Sequence, residues 1–209
     1  MARYFDIHPQ DPQPRAITQL VDLLRSGGLI AYPTDSSFAL GCALGNREGL
    51  DRIRAIRELD SKHHFTLVCS NFAQLGKYVE MNNDVFRAVK AATPGQYTFI
   101  LKASREAPKA MLQPKTKTVG VRIPRHNVTL ALLQAMGEPI SSSTLILPGS
   151  QTPLTEGWVV NDEIGTELDA VIDCGECGIE ATTVVDLSGD EVTILRYGAG
   201  DPTPFESDV

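Results

Sequence analysis

No stretch of about 18 consecutive apolar residues occurs in the chain, so a membrane-spanning helix and a membrane partner are not expected. The opening residues, MARYFDIHPQDPQP, lack the basic-then-apolar order of an export signal, and a cytoplasmic protein is the expectation. Cysteine is scarce. Cys42, Cys69, Cys174 and Cys177 are the only four, and with no export pattern free thiols are expected. Cys174 and Cys177 form a CxxC, but no helical pattern follows it as a thioredoxin-type site requires, and no second CxxC completes a zinc site. None of the four histidines has a partner at metal-ligand spacing, so no resident metal is expected. GxGxxG and Walker patterns are missing as well, which leaves a Rossmann domain and a P-loop unsupported. Basic residues nearly vanish at the end: residues 151–209 hold Arg196 alone against 14 acids.

What is present points to an ordinary globular core. The chain has 209 residues, 42% of them hydrophobic and 22% charged, enough for a core of some size. One domain spanning 1–209 is expected, with its core from about Pro14 to Gly198, because no repeat, low-complexity tract or linker divides it. The net charge of −7 is unevenly spread, since residues 1–150 carry 18 Lys and Arg against 12 Asp and Glu. Between Lys102 and Arg125 lie seven basic residues and one acid, Glu106. Such asymmetry suits a basic face towards phosphates and an acidic far side; a solvated charged surface is the plainer alternative. A pI near 5.1 argues against strong non-specific nucleic-acid binding.

The organising stretch is Leu29 to Cys42, LIAYPTDSSFALGC. Leu29-Ile30-Ala31-Tyr32 has the composition of a buried strand, which Pro33 ends because proline has no N–H for a ladder. Thr34, Asp35, Ser36 and Ser37 follow, and open α/β sheets bind ligands where strands deliver polar residues at their carboxyl ends. Helical spacing marks 15–26, a segment after the N-cap residue Asn46, 72–78, 84–92, 128–136 and 160–168, with a weaker helix at 107–112. Arg47, Arg52, Arg54 and Arg57 are expected on the exposed side of the second helix. Further strands are expected at 65–69, 97–102, 118–123, 139–147, 170–172, 183–187 and 192–195, while 3–14 reads as Pro-rich and extended. Strands and helices mix irregularly, so the expected fold is α/β: a twisted mixed sheet flanked by helices.

Hydroxyls and arginines recur at strand ends: Thr34 and Ser36, Thr118 with Arg122, Ser142 and Thr144, Thr183, and Arg196. Hydroxyls donate and accept, and guanidinium forks pair with carboxylate or phosphate, so the set suits a zwitterionic or phosphorylated ligand. A mundane account stands beside this, because threonine is a good strand former and arginine a common surface charge. With no obvious nucleophile–base pair in sequence, no catalytic residue is assigned, and catalysis by positioning and charge neutralisation is expected.

AYPTDSSFALGC (31–42), PGQYTFIL (94–101), TVGVRIP (118–124), SSSTLILPGS (141–150), TTVVDL (182–187) and ILRYG (194–198) resemble the signature series of the YrdC/YciO family. The match runs in order from about Pro14 to Gly198, and RELDSKHHFTLVC (57–69) is most similar to the YciO branch. The resemblance implies a YrdC/RibB-like open twisted sheet with a positively charged concave face, associated with double-stranded RNA or tRNA. It implies a threonylcarbamoyl-AMP synthase, a nucleotidyltransferase in tRNA modification. Such enzymes combine L-threonine, bicarbonate and ATP, the ATP with Mg2+, and hold no tightly bound cofactor. By motif position Ser36, Arg122, Ser142 and the loop residue His63 fall on the threonine side; Arg57, Thr118, Thr144, Thr152 and Arg196 fall on the nucleotide side. Four positions depart from the synthase pattern: Arg57 stands for a lysine, Leu59 for an arginine, Ile146 for an asparagine, and Val68 for a histidine that some members carry. The alternative that these departures raise is a paralogue that binds RNA or a ligand without synthase activity.

Overall fold

The second helix shows how local chemistry places a functional side chain. In the computed structural model, which describes residues 1–60 and 63–206, it runs Arg47–Arg57 (α2). Asn46 caps it by accepting from the Gly49 N–H at 3.0 Å, and its amide donates to the Gly27 carbonyl at 3.0 Å. At the other end Glu58 adopts the left-handed conformation, φ 49°. The Glu58 N–H bonds to Ala55 O and the Leu59 N–H to Arg54 O, a paired closure that normally carries an apolar residue at its last position. Leu59 is that residue, packed on the core.

Before it come β1 (Arg3–Asp6), α1 (Pro14–Arg25), β2 (Leu29–Tyr32) and β3 (Ala39–Ala43). After it follow β4 (Thr66–Val68), α3 (Phe72–Tyr78), β5 (Val79–Glu80), α4 (Asn83–Ala92), β6 (Tyr97–Ala103) and β7 (Thr118–Arg122). The chain continues with α5 (Asn127–Met136), β8 (Ile140–Thr144), α6 (Gly157–Ile164), β9 (Ala170–Asp173), β10 (Thr183–Asp186) and β11 (Thr193–Arg196). All the strands belong to one mixed sheet in the order β1-β9-β2-β3-β8-β4-β7-β6-β10-β11, with β5 paired to β6.

Four expectations shift. Residues 3–6, read as merely extended, form an edge strand parallel to β9, with Tyr4 opposite Val171. The weak helix at 107–112 is a single 3-10 turn at Lys109–Met111. The strand expected to reach Leu147 stops at Thr144: the Leu145 N–H makes a last bond across to Phe38 O, and the Ile146 N–H turns back onto Thr144 O. The helix placed at 160–168 starts three residues earlier and ends at Ile164, since the Gly165 N–H closes it on Asn161 O.

Side-chain alternation divides the sheet into two unequal faces. On one face Leu67, Phe99, Leu101, Val119, Val121 and Val185 meet residues of α2, α3, α4 and α6 in a core that crosses the central strands. On the other, α1 and α5 cover β1, β9, β2, β3 and β8 through Ile17, Leu20, Leu24, Leu132 and Met136. Among the described residues that second core takes none from β6, β7, β10 or β11. The stretch of sheet beyond α5 is left uncovered by that core, and the site lies there.

Candidate functional site

Register brings the floor together. Thr66 stands opposite both Ser142 and Gly120; Gly120 stands opposite Ile100, Thr118 opposite Lys102, and Val184 opposite Thr98 and Arg196. Gly120 has a spatial reason: a Cβ there would lie 3.0 Å from the Phe65 carbonyl oxygen and from Thr66 Oγ1. Over this floor lies a hollow of about 320 Å³, lined by Asp60, His63, His64, Thr66, Thr98, Ile100, Ser143, Thr144, Val184, Leu195 and Arg196. A second hollow of about 450 Å³ shares Arg196 and adds Ile146, Gln151, Pro153, Ile179 and Tyr197.

Arg196 is fixed between the two hollows. Its Nε donates to Thr182 O at 2.9 Å and a terminal nitrogen to Thr182 Oγ1 at 3.0 Å. Thr182 Oγ1 in turn lies 2.8 Å from Thr98 Oγ1. Arg57, expected on the exposed face of α2, instead turns inward: its Nε donates to Ile146 O at 3.2 Å and a terminal nitrogen to Ser143 Oγ. His63 Nε2 approaches the same Ser143 Oγ at 2.9 Å, and His64 Nε2 lies 3.4 Å from Thr118 Oγ1.

A buried knot adjoins the hollow. Arg122 reaches Thr34 Oγ1 at 3.4 Å and Ser36 Oγ at 3.0 Å, and pairs with Asp35. Asp35 also accepts from the Arg125 N–H at 3.0 Å. Thr34 Oγ1 accepts from the N–H groups of Ser36 and Ser37 and donates to Ser37 O at 2.6 Å, which sets the polar turn after Pro33. Arg122 Nε is buried with no hydrogen-bond partner among the described residues.

The electrostatics follow from cations crowded into a half-dry space. Burial, then the nearby Arg196 charge, brings Arg57 down to about 10. Burial, then Arg122, lowers Arg196. Burial, then Arg57 and His64, takes His63 down to about 4, so its imidazole is neutral at physiological pH. His64 is also lowered by burial, with Asp186 opposing. Burial penalises any charge there, but the part of these shifts that comes from neighbouring cations would be relieved by an entering anion.

Of the residues singled out in sequence, His63, Thr144 and Arg196 line the hollow, while Arg57 and Thr118 join it through Ser143 and His64. Ser36 and Arg122 form the adjoining knot. Ser142 Oγ is engaged beneath it, donating to Leu40 O at 2.8 Å and bonded to Tyr32 OH at 2.7 Å. Thr152 sits apart on an exposed loop, bonded locally to Ser150. Ser143 and His64 are site residues that the sequence does not single out; only the fold brings Arg57 and His63 to Ser143.

The Sua5–YciO–YrdC family model, described as "Telomere recombination", matches residues 22–198. The crystal structure of YciO from Escherichia coli superposes with a TM-score of 0.96 at 43% identity, covering 99% of this chain and 100% of that one. A threonylcarbamoyl-AMP synthase of Vibrio vulnificus is 30% identical over 165 residues, 78% of this chain and 87% of its own. Sua5 of P. abyssi, crystallised with L-threonine, shares the fold with a TM-score of 0.86 at 24% identity; the match covers 94% of this chain and 58% of that one.

Proposed function

The chain belongs to the Sua5/YciO/YrdC family, and from that premise we propose that it joins a nucleoside triphosphate to a small amino acid as an acyl-adenylate. The amino acid is L-threonine and the triphosphate ATP; bicarbonate supplies the carbamoyl carbon, and pyrophosphate leaves. The product serves threonylcarbamoylation of tRNA. One observation carries the reading. Three arginines from three separate elements, Arg57, Arg122 and Arg196, converge on a hydroxyl-lined floor in a space that lowers the affinity of Arg57, Arg196 and His63 for protons.

Division of labour follows from shape. Arg122, with Thr34 and Ser36 beside it, is a fork for the amino acid carboxylate. Arg196 and Thr144 take the phosphates, and the shared position of Arg196 between two hollows lets the base and the triphosphate lie on either side of it. Mg2+ would enter on the triphosphate oxygens. The chemistry needed is alignment of a carbamate with the α-phosphate and neutralisation of the charge that develops there.

The departures from the synthase pattern favour a second reading, a nucleotide-binding paralogue with little turnover. Leu59 is committed to the helix closure and the core, and Ile146 presents an apolar side chain to the second hollow. Loss of a charged fork and an amide each removes about 1.5–3 kcal/mol of ligand binding. Calorimetric titration with ATP and with L-threonine separates the roles. Arg196→Ala is expected to weaken ATP binding by roughly 10- to 150-fold and leave threonine binding in place. Unchanged ATP affinity in that variant would overturn the assignment.

A further inference from the structure

Ser143 is not used by the reaction above, yet it is the most heavily engaged hydroxyl in the hollow. Arg57 donates to its Oγ, and His63 Nε2 lies 2.9 Å away on the other side. Arginine has no acceptor, so Oγ accepts from Arg57 and keeps its own proton to give. In the tautomer that carries the ring proton on Nδ1, that proton goes to His63 Nε2. Ser143 is 4% exposed on a central strand, and the same Arg57 guanidinium is braced on Ile146 O at 3.2 Å, so the three groups are held in register.

We propose that Ser143 and His63 are a nucleophile–base pair, with Arg57 beside the forming alkoxide, and that the hollow hydrolyses mixed carboxylic–phosphoric anhydrides. The inference rests on the reading above for its nucleotide, but not for threonine. Ser143 Oγ forms a bond to the acyl carbon as its proton passes to His63 Nε2. The carbon–oxygen bond to phosphate breaks, and the nucleoside monophosphate leaves with the electron pair against Arg196, which lines the same hollow. His63, whose low proton affinity keeps it neutral, releases the serine's proton to solvent. Water then attacks the acyl-serine and gives a proton to His63, the ester bond breaks, Ser143 recovers its hydrogen from His63, and the carboxylic acid departs. One water is consumed for each anhydride split.

The charges facing His63 select this substrate class. Arg57 on α2, His64 in the same loop and Arg196 on β11 depress its affinity for protons together with burial, and Asp60 opposes them. A base this weak needs an activated acyl carbon whose leaving group departs without a proton, which a phosphate does and an amine does not. An adenylate formed in this site and not passed on would be cleared by the same residues.

The test uses the full chain, with ATP and threonine absent. A fluorophosphonate ester is expected to form an adduct on Ser143, located by peptide mass spectrometry. Labelling falls by roughly a hundredfold in His63→Gln and vanishes in Ser143→Ala. Acetyl-adenylate is split to acetate and AMP, and its rate falls in parallel in both variants. The rate stays flat from roughly pH 5 to pH 8 and declines only as His63 gains its proton, far below the ordinary histidine value of about 6.5. Should Ser143→Ala not fold, His63→Gln on the half-buried loop decides. Adducts only elsewhere, or acetyl-adenylate turnover unchanged in either variant, would overturn the proposal. Because neither probe involves threonine, failure here is distinguishable from failure of adenylate synthesis.

Discussion

Arg122 and Asp35 have side chains only 8% and 9% exposed, so each removes most of the solvation the other needs. Truncating one partner leaves a buried charge unpaired, and Arg122→Ala is expected to cost about 3–5 kcal/mol of stability, read by urea unfolding. A cost near zero would mean that the knot relaxes to solvent, and Arg122 would lose its claim to a preorganised carboxylate site. His63 supplies a prediction of opposite character. Its folded pKa of about 4 lies below the unfolded value, so the unfolded chain binds more protons between the two. Stability therefore rises with pH across that window and is lost as pH falls from about 6.5 towards 4. His64 and His126 are lowered too and act in the same direction. His63→Gln is expected to flatten, without abolishing, the slope of melting temperature against pH between those limits. An unchanged slope would place His63 in solvent.

At the scale of elements, Arg57 depends on how α2 ends. Glu58 holds a left-handed conformation that costs a side-chain-bearing residue about 1–2 kcal/mol and glycine very little. Glu58→Gly is accordingly expected to stabilise the protein by about 1 kcal/mol, measured by thermal or urea unfolding, without moving Arg57 from Ser143. Much of this level was legible beforehand. Asn46 declared the start of α2, and the apolar run 29–32 a buried strand. What escaped were features set by partners far away in sequence. Residues 3–6 become a strand only because β9 offers an edge, and Ser143 becomes a site residue only because α2 and the 63–64 loop close on it. Motif position selects Ser142, whose hydroxyl is spent on Tyr32 and Leu40.

For the whole molecule, the charge asymmetry of the sequence takes an unexpected form. The acidic last third is not a separate far side. Sheet order sends β9 to one flank and β10 and β11 to the other, so Asp169 and Asp173 lie at one end and Asp186 and Asp190 near the other. The central strands β4, β7 and β6 carry Arg122 and Lys102 between them. A long polyanion laid across the sheet would meet acid at both flanks, whereas the nucleotide proposed above would lie between them. This distribution favours a small phosphorylated ligand over duplex RNA as the principal partner. The central claim is that this middle joins ATP to an amino acid, and its most direct test is a product assay. Purified protein is mixed with ATP, magnesium, L-threonine and bicarbonate, and the mixture is analysed by mass spectrometry for threonylcarbamoyl-adenylate and pyrophosphate. Adenylate that appears with threonine and disappears without it is the predicted result. ATP bound normally with no threonine-dependent product would contradict the account and leave the nucleotide-binding paralogue in its place.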